Sequence, residues 1–224
     1  MFTMTKMEQV PAQGRRLPPP NFHSLLDTIE LMGAAIPFAR NGEIYGESEP
    51  ADYVYKVLTG AVRTYKLLSD GRRQIDAFHL PGDIFGLELG DTHTCSAEAI
   101  SDSTIVVVKR SLVMAAAERN TDVARRLWST TAAELQRAQQ HTLLLIKSAQ
   151  ERVATFLLEM SERLCAEGSL ELPMSRQDIA DYLGLTIETV SRTLTQLQGA
   201  ATIALPGSRR IVLRNRPALN RLND

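Results

Sequence analysis

"SRQDIADYLGLTIETVSRTLTQLQ", residues 175–198, is the stretch whose reading decides the fold. Ser175 and Asp178 are spaced as a capping box that starts a helix, and Gly184 supplies the positive φ that ends it. Thr186 is placed to cap a second helix, on which Ile187, Val190 and Leu194 recur at helical spacing and turn inward with Ile179, Ala180, Leu183 and Leu185. Two short helices joined so tightly must cross steeply. Small Ala180 permits the crossing, Gly184 the turn, and the arrangement is a helix-turn-helix. Its second helix leaves Glu188, Thr189, Ser191 and Arg192 on the exposed N-terminal half, the part that enters a DNA major groove. Arginine offers guanine two hydrogen bonds, and glutamate accepts from the cytosine amino group.

The flanking sequence extends this reading. "ATIALPGSRRIVLRN", residues 201–215, reads as two strands around Pro206 and Gly207, a hairpin wing that carries Arg209 and Arg210 towards phosphates. The formal net charge of -1 argues against a polyanion partner, but the last residues hold Arg209, Arg210, Arg214, Arg216 and Arg221 against Asp224 alone. At the other end of the motif, Ser175 is an ordinary N-cap whose helix start, in such motifs, faces a DNA phosphate. A small neutral residue is expected to be tolerated there and a fixed negative charge is not, so Ser175 is also a candidate regulatory position. Ser175→Asp is expected to keep the melting temperature and lose DNA binding.

Upstream, "TDVARRLWSTTAAELQRAQQHTLLLIKS", residues 121–148, contains neither Pro nor Gly. Thr121 is placed to cap it, and Trp128, Thr131, Leu135, Ala138, Thr142 and Leu145 recur at alternating spacings of three and four. A helix of that length outruns what a small β-domain needs for cover, and its small residues allow close approach of a second copy, so the seam reads as a homodimer interface. The alternative is that the stripe packs on the chain's own β-domain. Before it, residues 37–109 alternate short β-like runs with turn signals. "YVYKVLTGAVRTYKLL" is two strands around Thr59 and Gly60, Asp70 and Gly71 form a hairpin turn, "LPGDIFGLEL" is a turn with Gly82 and Gly86, and "STIVVVK" is a late strand, together suggesting a β-sandwich or barrel. "FHSLLDTIELMGAAI" has helical spacing in Leu25, Leu26, Ile29, Leu31 and Met32, and residues 1–22 read as a flexible arm.

Composition bounds the rest. With 44% hydrophobic and 23% charged residues over 224 positions, two domains are expected. No apolar run approaches the roughly 18 to 20 residues that span a bilayer, and the N-terminus lacks the stretch of a secretion signal, so a cytoplasmic protein with no membrane partner is expected. Cys95 and Cys165 have no paired spacing and imply neither a disulfide framework nor a metal cluster. Glu88, His79 and His93 are scattered without the spacing of nucleophile, base and orienter, so an enzyme is not expected and no catalytic residue is assigned.

The chain resembles the CRP/FNR superfamily of transcription regulators and, within it, the FixK regulators of rhizobia, over nearly everything after the arm. "PGDIFGLEL" falls at that family's glycine-rich turn, the seam at its dimerisation helix, and "DYLGLTIETVSRTL" matches the FNR-type recognition motif, with Thr193 where an aliphatic residue often stands. The resemblance implies an α+β chain: an N-terminal β-roll like a cyclic-nucleotide-binding jelly roll (23–120), a long dimerisation helix (121–148) and a C-terminal winged helix-turn-helix (149–224). It implies that Glu188, Ser191 and Arg192 read bases, that Ser175, Ile187, Thr189, Arg209 and Arg210 add contacts, and that the operator is a TTGA-N6-TCAA-type palindrome. RNA polymerase is the implied further partner. Cyclic-nucleotide-binding relatives hold the phosphate with an Arg-Ser pair, whereas "THTCSAEA" has Cys95 before Ser96 and no Arg; Glu88 remains nearby. The arm lacks the cysteines that hold an iron-sulfur cluster in oxygen-sensing relatives. The implied pattern is DNA binding without a cofactor, in an activator of low-oxygen respiration and nitrogen-fixation genes. The alternative is a regulator whose β-roll senses an unrecognised small molecule.

Overall fold

The computed structural model describes residue 29, residues 32–166 and residues 168–223. The expected arm, 1–22, and the helical positions Leu25, Leu26 and Leu31 lie outside the described residues. Strands β1 (Ala34–Phe38), β2 (Glu43–Tyr45), β3 (Tyr53–Thr59), β4 (Val62–Leu67), β5 (Arg73–His79), β6 (Ile84–Phe85), β7 (Ser96–Ala99) and β8 (Ser103–Lys109) come first. They form two antiparallel four-stranded sheets, ordered β1-β8-β3-β6 and β2-β7-β4-β5. The period of two sorts β3. Tyr55 and Val57 face an inner core with Tyr45, Val62, Phe85, Ala97 and Ile105. Val54 faces the opposite side with Ile84, Val106 and Val108, against Val113 and Val123 of the helices that follow. Gly60 turns β3 into β4 at φ 82°, where a Cβ would lie 2.5 Å from the carbonyl oxygen of Asp102. The stretch read as the turn "LPGDIFGLEL" contains the two-residue β6, which pairs with β3 between Gly82 and Gly86.

Two helices leave the sheets, α1 (Arg110–Arg119) and α2 (Thr121–Leu144), and α3 (Ala149–Arg163) follows. The cap of α2 is Asn120, not Thr121: the Asn120 side chain accepts from the Asp122 N–H at 2.9 Å. The helix also ends at Leu144 rather than Ser148. The reason is local competition, since Ser148 and Glu151 form a reciprocal capping box that starts α3 and pulls the backbone out of the helical register. Leu145 is therefore the C-cap of α2, half-buried, while Trp128, Thr131, Leu135, Ala138 and Thr142 are exposed, Trp128 at 77% and Leu135 at 60%. Thr131 and Thr142 donate their hydroxyls to the carbonyls of Leu127 and Ala138 on their own helix.

The C-terminal part continues with β9 (Ser169–Glu171), α4 (Arg176–Leu183), α5 (Ile187–Gly199), β10 (Ile203–Ala204), β11 (Arg210–Leu213) and α6 (Arg216–Asn223). The hairpin around Pro206 and Gly207 gains β9 as a third strand, in the order β10-β11-β9. One apolar core crosses from the β-roll into this part: Ile75, Phe78 and Leu80 pack with Phe156, Leu157, Tyr182 and Leu183. The β4–β5 face is thus closed by α3 and α4, so one core joins the two regions beside the two clusters that belong to the β-roll.

Candidate nucleic-acid interface

Local chemistry fixes the helix-turn-helix. Ser175 caps α4 through its hydroxyl, which accepts from the Asp178 N–H at 3.1 Å, while Asp178 Oδ2 accepts from the Ser175 N–H at 2.9 Å and from the Ser175 hydroxyl at 2.7 Å. Gly184 ends the helix at φ 61° and ψ 39°. Thr186 caps α5, accepting from the Thr189 N–H at 3.2 Å. Ile179, Ala180, Leu183, Val190, Leu194 and Leu197 are buried between the two helices and α3, and Thr193 is buried with them. Ile187 departs from its expected inward place and is 36% exposed, because the first helical position lies before α5 has turned its apolar face to the core.

What α5 turns outward is polar. Glu188 and Arg192 are exposed, Thr189 and Ser191 half-exposed. The helix-start N–H of Glu188 and the Thr186 hydroxyl hold the Glu188 carboxyl below the usual range, so it stays ionised and can only accept hydrogen bonds. Ser191 Oγ accepts from Arg176 Nη1 at 3.4 Å. Arg176, the first residue of α4, thus joins the polar face, and sequence reasoning passed over it because its link to α5 is tertiary. The wing separates its two arginines: Arg209 is half-buried and donates to the Pro173 carbonyl at 3.0 Å, while Arg210 is exposed and donates to Ser169 Oγ at 3.3 Å. The basic tail divides as well. Arg216 donates to Ser161 Oγ and pairs with Glu162, tying α6 to α3.

The β-roll interior is aromatic and buried. His93 stacks on Tyr45 with centroids 3.6 Å apart, and its Nδ1 lies 3.1 Å from Glu88 Oε1. Burial, reinforced by Glu88, pushes the Tyr45 phenol up and the Tyr55 phenol to about 12. Burial also raises the Cys95 thiol to about 12. Residues 92–99 contain no Arg or Lys, and Arg110 spends its guanidinium on the carbonyls of Leu89 and Gly90. The residues present do not fit the phosphate of a cyclic nucleotide.

Comparison with known proteins agrees with this geometry. The family described as "Crp-like helix-turn-helix domain" matches residues 151–222, and that described as "Cyclic nucleotide-binding domain" matches residues 35–120. The chain is similar to the nitrogen fixation regulation protein FixK of Azorhizobium caulinodans, 53% identical over 88% of this chain and 82% of the relative. It is similar to the transcriptional activatory protein AadR of Rhodopseudomonas palustris, 40% identical over 80% of this chain and 77% of that one. The solved structure of FixK2 from Bradyrhizobium japonicum superposes with a TM-score of 0.83 at 58% identity, covering 86% of this chain and 98% of its own.

Proposed function

The chain belongs to the FixK type of the CRP/FNR family of transcription regulators, and from that premise we propose that it is an activator that binds a TTGA-N6-TCAA-type palindrome as a homodimer. The observation that carries the proposal is the outward face of α5, where an ionised Glu188, Ser191 and the exposed Arg192 stand together on a helix free to enter a major groove. Glu188, Ser191 and Arg192 read bases; Ser175, Ile187, Thr189 and Arg210 contact the backbone or flanking groups, and Arg209 shapes the wing. The exposed Trp128, Thr131, Leu135, Ala138 and Thr142, with Leu145 at the end, are the surface on which a second copy docks. A palindrome follows from the two-fold axis. No helix among the described residues is long and apolar enough to cross a membrane, and we place the protein in the cytoplasm, acting through RNA polymerase on genes of low-oxygen respiration and nitrogen fixation. The β-roll works without a bound nucleotide, and the chain is a regulator rather than an enzyme.

The test compares operator and random DNA at fixed salt. Arg192→Ala is expected to cost about 1 to 3 kcal/mol per half-site on the operator and much less on random DNA. Equal losses on both would move Arg192 to the phosphate contacts. Leu135→Glu is expected to place like charges across the axis, yield monomers in sedimentation and lose operator affinity. A dimer with intact affinity would remove the seam from the interface.

A further inference from the structure

The strongest unexplained feature lies on the other side of the helix-turn-helix, where α4 meets the β-roll. Asp178 is buried and its carboxylate is divided between two tasks. Oδ2 serves the Ser175 cap, as above. Oδ1 accepts from Arg63 Nη1 on β4 at 2.6 Å and from Arg73 Nη2 on β5 at 2.9 Å. Arg63 also reaches Glu98 on β7 at 2.8 Å, and Arg73 holds Asp181, one turn along α4, through Nε at 3.0 Å and Nη2 at 2.9 Å. The Tyr65 ring lies under both guanidinium groups, 5.9 and 5.6 Å from its centroid. On the far side of α4, His141 of α2 stacks on Tyr182 and donates to its carbonyl at 2.8 Å, and Arg152 of α3 donates to the Leu183 carbonyl at 2.8 Å.

Stability does not account for this arrangement. A buried ion pair returns little more than its desolvation cost, and apolar residues of the same size would hold α4 to Phe78 and Ile75 at least as well. Apolar packing, however, tolerates sliding, whereas a carboxylate shared between a helix cap and two arginine forks has one geometry. We propose that Asp178 is a positioning residue: through Arg63 and Arg73 it fixes the angle of α4 on the β-roll, and so the spacing between the two half-sites that the α5 helices of a dimer read. The coupling is short. α5 follows α4 after one tight turn and packs on it through Ile179, Ala180, Val190 and Leu194, so a rotation of α4 carries α5 with it. The two-fold axis then doubles the displacement. The β-roll thereby holds α4 in one orientation by fixed charge.

This inference rests on the operator-binding reading, and the test separates the two. Arg73→Gln and Asp181→Asn lie at the outer edge of the bridge, with side chains 22% and 13% exposed, and both variants are expected to fold. In the full-length protein we measure affinity for the palindrome with its own spacer and with spacers one base pair shorter and longer, and amide hydrogen exchange of α4 without DNA. The expected result is faster exchange in α4 and a preference for the correct spacer reduced about tenfold. Unchanged exchange in both variants overturns the bridge as a restraint. Faster exchange with an intact spacer preference overturns its positioning role, because a merely structural bridge would lower stability and leave spacer choice alone. A wild type indifferent to spacer length overturns the palindrome reading instead, while faster exchange in the variants would still support the restraint.

Discussion

The two helices of the helix-turn-helix are neighbours with opposite commitments. α4 spends its acids on the protein: Asp178 and Asp181 are held by Arg63 and Arg73, and the carbonyls of Tyr182 and Leu183 are taken by His141 and Arg152. α5 keeps Glu188 and Arg192 in water. Residue type alone does not separate them, since each helix carries Arg and Asp or Glu and starts from a Ser or Thr cap. Burial and partners do. A charge in a shared core fixes a position, and a charge on an open helix face remains available to a ligand.

Removing one acid from each helix gives the largest contrast. Asp178→Ala strips a buried cap and leaves Arg63 short of a partner, for an expected loss of about 3 kcal/mol in chemical denaturation; Glu98 and Asp181 remain and keep the loss near the low end of such cases. Glu188→Ala is expected to leave stability nearly unchanged and to weaken discrimination at the base it faces. Similar stability losses in the two variants would erase the distinction between the helices.

Acid sharpens the contrast on the held side. His79, on the strand that also supplies Arg73, is buried against Phe85 and hydrogen-bonded to Thr64, and burial lowers its pKa to about 4. The unfolded chain takes up this proton near the ordinary value of about 6.5 and the folded chain does not. Between those values the unfolded state binds more protons, so stability falls as pH drops from about 6.5 towards 4, by an order of 2 kcal/mol. His79→Gln should flatten that part of the stability profile. An unchanged slope would assign the acid sensitivity to other groups.

What was legible in the sequence follows the same division. The two caps, the Gly184 turn and the periodicity of α4 and α5 are signals within a few residues, and the structure carries them. The grip on α4 was not legible because Arg63 and Asp178 are 115 residues apart, and nothing in "AVRTYK" marks Arg63 as facing a carboxylate. The end of α2 was misjudged for a different reason. Apolar spacing runs on through Leu145, while the Ser148–Glu151 capping box starts a new helix, and the box prevails because it satisfies two orphan N–H groups at once. Counting arginines in the tail likewise overstated its open charge, since Arg216 is paired with Glu162.

Ser175 stands where the two commitments meet, and here the structure revises the sequence-based expectation. Its hydroxyl lies 2.7 Å from Asp178 Oδ2 as well as capping α4, so a carboxylate at 175 would face another at close range. Ser175→Asp is therefore expected to lower the melting temperature rather than preserve it, and Ser175→Ala to cost about 1 kcal/mol through the lost cap. Weaker operator binding by the Asp variant then has two possible origins, a disturbed cap or repulsion of a DNA phosphate. Salt separates them. Repulsion between the new charge and a phosphate is screened, so the deficit relative to wild type should shrink as salt is raised in gel-shift titrations, whereas a deficit caused by a distorted helix start should stay constant. The Ala variant, with no added charge, supplies the constant reference. A shrinking deficit for Asp beside a constant one for Ala is the expected result, and it would put Ser175 against the DNA backbone. Parallel deficits would leave Ser175 a cap that serves only the bridge to Arg63 and Arg73.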